Sequence, residues 1–562
     1  MSSVNSVQRS ENTFFYDSTR QGGISAEALS PDWHCKGDQA NISETAKELA
    51  QNIATMRTAV AEQLSAADRY AAAQAFAGDI INELTYGSAA SKSYNEQSSM
   101  FLDRGYGAFT TTSKQGTVIG VSTINSFSSE SAVDKSLMTV QITRKDGFQL
   151  NLPLNENLRV NDLEGGGLSV YFADSGMRKI YDAAGNETII EGETDENNLG
   201  TAGDDIIINL HSSRVDGGDG DDTIINLARN ATITGGAGND TIIVPVKSSG
   251  LTIDGGEGDD RIAAESLWNS RVFIKEGADE LKVGSMFQSK IESDGESRVE
   301  MERMTSSTLT ATGQSLTADI NVIDASTIDM NTQSNNLTGL VFGGARVSAG
   351  NGNTSISGDT AFSTQFVTGN GNNNIEFYAI SGTSLISGSG NDEVRIMNNM
   401  RNSDVDTGDG DDYIYTGGMD NSKLNGGAGD DIIAVRRANG SQINGGDGDD
   451  VIVAYGLGNT SVNGGDGKNT IISPSLSDAT ENDTLYRWSW GTKWVDEFFK
   501  TAEQGSSSYE SQQANLNQAF ARADEIAKES EEIASTTAKQ MTNYLRTRAM
   551  AAYNTAMPQS FK

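Results

Sequence analysis

Gly217-Gly218-Asp219-Gly220-Asp221-Asp222-Thr223-Ile224 decides the fold, because it recurs. The pattern Gly-Gly-x-Gly-x-Asp-x-Ile returns at Gly235 to Ile242, Gly255 to Ile262, Gly426 to Ile433 and Gly445 to Ile452. Degraded copies stand at Gly200 to Ile207, Gly388 to Val394 and Thr407 to Ile414. Neighbouring copies are 17 residues apart (Gly200 to Gly217) to 20 apart (Gly235 to Gly255). A fixed period near that length marks a solenoid, with one coil per repeat. Each coil then needs two strands and two turns. The glycines allow positive φ in the turn and expose backbone carbonyls. The isoleucine points inward and stacks on its equivalent one coil away.

These copies resemble the RTX family, the hemolysin-type calcium-binding repeats. The resemblance covers residues 199–475, about half of the chain. It implies a mainly β fold, a parallel β-solenoid or β-roll of right-handed coil, that binds Ca2+. It assigns Asp205, Asp222, Asp240, Asp260, Asp392, Asp412, Asp431 and Asp450 as side-chain ligands. With them go the turn glycines Gly218, Gly220, Gly236, Gly238, Gly256, Gly258, Gly427, Gly429, Gly446 and Gly448. Calcium takes six to eight oxygens, more than one turn supplies, so an ion between adjacent turns bridges coils. Without a cation, carboxylates stacked about 4.8 Å apart would repel one another.

The chain departs from the family pattern in two ways. The motif occupies one turn per coil, while the opposite turns, such as Ala228-Arg229-Asn230 and Arg437-Ala438-Asn439-Gly440, lack the carboxylate. A single ladder along one edge is expected. That ladder is also interrupted. Between Asp279 and Gly388 the turns persist at Gly295, Gly352 and Gly371, but the ligand Asp is missing, and Gly369-Asn370-Gly371-Asn372-Asn373 carries amides. The centre reads as a metal-free β-helix between two calcium segments. Gly464-Gly465-Asp466-Gly467-Lys468-Asn469 reads as a terminating rung.

Outside the array, residues 1–40 are polar and Ser-rich. Residues 41–95 begin with a long helix whose heptad seam runs from Leu49 to Leu84, and 508–556 form another, with its seam in Leu516 to Tyr544. Their similar length suggests pairing, either as a hairpin that closes the molecule or as a self-assembly device. Residues 100–195 alternate like strands, with turns at Lys145-Asp146-Gly147 and Gly185-Asn186, and read as a small antiparallel β domain. Residues 483–500, with Leu485, Trp488, Trp490, Trp494, Phe498 and Phe499, read as an aromatic cap or a sugar-binding platform.

Net charge is −36 over 562 residues, and Cys35 is the single cysteine. Such a charge repels nucleic acid and anionic membranes. No apolar run is long enough for a membrane span. MSSVNSVQRSENTFFYDS, residues 1–18, has no apolar core of the secretory kind, which points to an export route that needs none. Type I and type III secretion machinery are the alternatives. His34 and His211 are the only histidines, and neither a His-Glu-x-x-His nor a Gly-x-Ser-x-Gly motif occurs, so no catalytic residue is expected. The expected role is an exported calcium-binding structural protein, a homo-oligomer through its terminal helices, laid out like flagellin and other filament subunits. An adhesin or carbohydrate-binding protein is the first alternative. A β-helix polysaccharide lyase or epimerase using Arg395, Arg436 or Arg437 is the second.

Overall fold

A computed structural model describes residues 106–112, 116–124, 138–192, 200–473 and 484–486. The segment 1–40, the helices read at 41–95 and 508–556, and all of 483–500 but its first strand lie outside the described residues. Those described contain strands and no α-helix.

The repeats form a parallel β-solenoid. Ile224 pairs in register with Ile207 on one side and Ile242 on the other, and Ile262 continues the column. Leu281, Val299, Ala318, Leu337, Ile356, Ile375, Val394, Ile414, Ile433, Ile452 and Ile471 complete it, all buried. Each apolar side chain thus covers the one below it, and the core is a continuous stack. The interior needs branched residues that fit a pleated surface, which explains the Ile and Val bias of the repeat. The stack is open to wider rings at one point, where Phe342, Phe366 and Phe377 pack at centroid distances of 5.0 to 5.4 Å.

The corner opposite the motif is built on left-handed residues. Asn230, Asn269, Asn402, Asn421 and Asn459 hold φ between 45° and 53°, a region asparagine tolerates. A hydroxyl residue follows in most coils. The backbone N–H of Ser270 donates to Ser289 Oγ, Ser289 to Ser307 Oγ and Ser307 to Ser326 Oγ. The same chain resumes from Thr383 through Ser403, Ser422 and Ser441 to Thr460. This edge therefore satisfies itself with neutral hydroxyls.

Upstream, strands β1 (Tyr106–Thr112), β2 (Val118–Ile124), β3 (Met138–Thr143) and β4 (Gln149–Pro153) form an antiparallel sheet. Strands β5 (Leu158–Leu163), β6 (Gly167–Phe172), β7 (Met177–Tyr181) and β8 (Glu187–Glu191) form an antiparallel extension of the solenoid. It is joined through β5, which runs antiparallel to the first coil strand, β9 (Ile206–Asn209). The open edge of the first coil is thereby paired, which removes a template for strand addition. Ile206, Ile208, Ile225, Leu227, Ile243 and Val246 face outward on the first coils and are buried against Leu158, Val160, Leu168 and Val170. At the far end, Thr484–Tyr486 pairs in parallel with Thr470–Ile472 and sets Leu485 in register with Ile471. This part of the expected aromatic cap starts as one more rung of the solenoid.

Candidate metal site along one edge

The sixth motif place forms a column of its own, two residues before the core isoleucine. Its two carboxylate oxygens have separate fates. Asp222 Oδ1 accepts the backbone N–H of Asp205 at 2.7 Å, and Asp240, Asp260 and Asp279 do the same for the coil before at 2.7 to 2.9 Å. Asp392 accepts from Asn373, Asp412 from Asp392, Asp431 from Asp412 and Asp450 from Asp431. These side chains are buried, none more than 3% exposed. Oδ2 of Asp222, Asp240, Asp260, Asp279, Asp392, Asp412 and Asp431 accepts no hydrogen bond. A buried carboxylate oxygen left so costs several kcal/mol unless something positive reaches it, on the order of ~2–5.

The turn glycines shape the space beside that oxygen. A Cβ on Gly217 would stand 2.2 Å from Asp222 Oδ2 and 2.2 Å from the Gly235 carbonyl oxygen of the next coil. At Gly445 both distances, to Asp450 Oδ2 and Gly464 O, are 2.3 Å. At Gly235 and Gly426 the carboxylate oxygen lies 2.3 and 2.2 Å away and the carbonyl of the next coil 2.1 and 2.5 Å. The glycine thus leaves the carboxylate oxygen and the carbonyl of the next coil side by side at the turn, two hard oxygens of the kind calcium takes. Among the described residues no three His, Cys, Asp or Glu side chains converge. The donor set is instead one carboxylate per turn supplemented by carbonyls, hard oxygens that suit calcium rather than a thiophilic metal.

Asn373 shows what lies around this place when the column residue carries its own protons. Its Nδ2 donates to the carbonyls of Gly369 at 3.3 Å, Gly371 at 2.9 Å and Ser387 of the next coil at 3.0 Å, and to Asp392 Oδ1 at 3.0 Å. Gly369 and Gly371 stand four and two residues before Asn373. Gly218 and Gly220 stand so before Asp222, Gly236 and Gly238 before Asp240, and Gly256 and Gly258 before Asp260. Gly427 and Gly429 before Asp431, and Gly446 and Gly448 before Asp450, repeat it. The carbonyls of the sequence-predicted glycines are thus the ones an amide reaches in a coil without Asp. Asn469, the last column residue, likewise donates to Gly465 O at 3.2 Å.

Burial pushes the acids of the column up, and neighbouring carboxylates add to it while the backbone N–H opposes it. Asp222 rises to about 8, Asp240 to about 7, Asp260 to about 6 and Asp279 to about 7. Asp392 rises to about 8, Asp412 to about 7 and Asp431 to about 9.

Two members differ from the sequence reading. Asp205 is held entirely by protein groups: Asn161 Nδ2 and the Thr201 N–H and hydroxyl bond it, and Arg159 Nε lies 3.8 Å away. The cap strand thus brings a cation and an amide to the first rung. Asp279 belongs to the column although no full motif precedes it; Ile274 and Lys275 replace the first two glycines, and Gly277 keeps the third. Beyond it the column continues as Ser297, Leu316, Asn335 and Thr354, which carry no charge.

The fifth motif place forms a second ladder that sequence reasoning missed. Asp221 accepts the N–H of Asn239, Asn239 that of Asp259, and Asp259 that of Ala278. The run recurs from Asn353 through Asn372, Asn391, Asp411, Asp430 and Asp449 to Lys468. Its bonds point the other way along the stack, so each turn is tied to the coil on both sides. The alternation of Asp and Asn at this place was the signal available.

No family model matches the chain, and no curated protein matches it. A solved structure described as "X-ray crystal structure of a hyperactive, Ca2+-dependent, beta-helical antifreeze protein from an Antarctic bacterium" aligns to 50% of this chain and 86% of that one. Identity is 16% and the TM-score 0.28, so the likeness carries no argument, and the β-solenoid stands on the strand pairings above.

Proposed function

We propose that the protein is an exported, calcium-loaded β-solenoid whose role is structural. The observation that carries the calcium reading is the column of buried carboxylate oxygens with no partner, which at Asp222, Asp240 and Asp431 lie beside a turn carbonyl of the next coil. A divalent ion there would neutralise the column and tie coil to coil. Folding is then coupled to the metal. Export followed by folding in a calcium-rich medium fits that coupling, and among the described residues no helix is long and apolar enough to cross a membrane. Assembly through the terminal segments 41–95 and 508–556 remains part of this reading.

A structural role is favoured over catalysis by the fate of Arg395, the basic residue best placed on a strand. It is buried, pairs with Glu393 at 2.8 Å and lies over the Tyr413 ring. A glycan-binding role has one supporting feature, the neighbouring rings of Trp268 and Phe287, tilted at 43° with centroids 4.7 Å apart, with Trp268 45% exposed. Calcium titration of the metal-stripped full chain, followed by circular dichroism and by bound calcium per chain, tests the main reading. A gain in β signal with saturable uptake is expected. Neither change appearing defeats it.

A further inference from the structure

We propose that the residue at the first motif place selects which carboxylate turns load calcium, so that Asp392 and Asp412 are bypassed and the second ladder starts at the Gly426 turn. This rests on the calcium reading above and adds to it which turns are filled. The first place is glycine at Gly217, Gly235 and Gly255, and again at Gly426 and Gly445. Between those blocks it is Ile274 before Asp279 and, in the coils leading to the second block, Thr368, Ser387 and Thr407, each of these three no more than 2% exposed.

The three hydroxyls do the same thing. Thr368 Oγ1 donates to Ser387 O at 2.8 Å, Ser387 Oγ to Thr407 O at 3.2 Å and Thr407 Oγ1 to Gly426 O at 2.7 Å. In each case the acceptor is the first-place carbonyl of the next coil. Beside the glycine turns that carbonyl and the carboxylate oxygen surround the point a Cβ would occupy, 2.2 Å from each at Gly217. At Ser387 and Thr407 a real Cβ stands there, and its hydroxyl proton is directed at the carbonyl. The side chain crowds the carboxylate beside it, and its hydroxyl gives the carbonyl the positive dipole that an ion would supply elsewhere. Calcium needs six or more oxygens, and a carbonyl already accepting from a hydroxyl is turned away from that set. The Asn373 amide makes the same replacement one coil earlier, through four bonds. In the block from Thr368 to Asp412 the first-place carbonyls of Ser387, Thr407 and Gly426 thus each already hold a protein donor, whereas Oδ2 of Asp392 and Asp412 does not.

Bound calcium per chain, measured on the full-length protein after equilibration with calcium chloride, tests this. D392N and D412N are expected to keep the wild-type number of ions, while D240N and D431N each lose at least one. T407G, which reopens the space beside Asp412, is expected to gain one. Equal losses in D412N and D431N, or no gain in T407G, would overturn the proposal. A wild-type chain that binds no calcium would instead sink the reading on which it rests.

Discussion

At the scale of single residues, the motif is a division of labour within one side chain. One oxygen of Asp240 accepts the Asp222 N–H at 2.7 Å, and the other has no donor. Asn at this place can do both jobs without a metal, as Asn373 does. D240N is therefore expected to stabilise the calcium-free protein, by about 1–3 kcal/mol, the cost of an unsatisfied buried polar group. In calcium it should lose the ion's contribution, so the order of melting temperatures in chelator and in calcium should cross. Differential scanning calorimetry in both media checks this, and an unchanged order would count against the reading. Gly235→Ala is expected to be more severe. Its methyl group would lie 2.1 Å from Gly255 O and 2.3 Å from Asp240 Oδ2, closer than atoms can approach, so the turn must distort in either medium.

At the scale of the ladder, the charge of the column makes stability depend on pH in an unusual direction. The Asp222, Asp240 and Asp431 carboxyls are pushed by burial to about 8, about 7 and about 9. An unfolded aspartate titrates at about 3.9. Between those values the folded chain holds more protons than the unfolded one, so stability falls as pH rises through that window. In chelator, the melting temperature is expected to be higher at pH 5 than at pH 8. Calcium displaces those protons, so its affinity should rise over the same range with proton release, which calorimetry in buffers of different ionisation enthalpy would register. The ladder was largely legible from sequence because Gly-Gly-x-Gly-x-Asp is a local code: the turn needs positive φ at Gly218 and Gly220, 104° and 113°. Asp279, the fifth-place ladder and the serine stack from Ser270 were not legible in that way. Their places are inherited from the coil beneath, through parallel register, and no short motif is required of a residue whose position its neighbour already fixes. Nor could the motif alone tell that Asp205 would be met by Arg159 and Asn161, since those come from a strand more than forty residues upstream.

At the scale of the whole solenoid, the column divides the stack into regions that depend on metal differently. The first coils carry Asp222 to Asp279 and the last ones Asp431 and Asp450, whereas Ser297, Leu316, Asn335 and Thr354 occupy the same place in the centre. The central strands are also the longest and most continuous, with Lys290–Thr305, Thr308–Asp324 and Thr327–Gly343 each running unbroken around most of a coil. A solenoid's stability is a sum of coil terms and nearest-neighbour terms, so it can lose one end without losing the middle. Removing calcium should open the ends selectively. Amide hydrogen exchange in chelator is expected to speed in residues 215–262 and 424–452, by tenfold or more for each ~1.4 kcal/mol of lost local stability. Residues 299–356 should keep the protection they have in calcium. The first coil has a second support, the β5 pairing with Arg159 beside Asp205, so protection at Ile206 to Ile208 should outlast that at Ile224 and Ile242. Uniform loss along all coils would mean that the stack unfolds as one unit, and that the neutral centre is as dependent on the ion as the acidic ends.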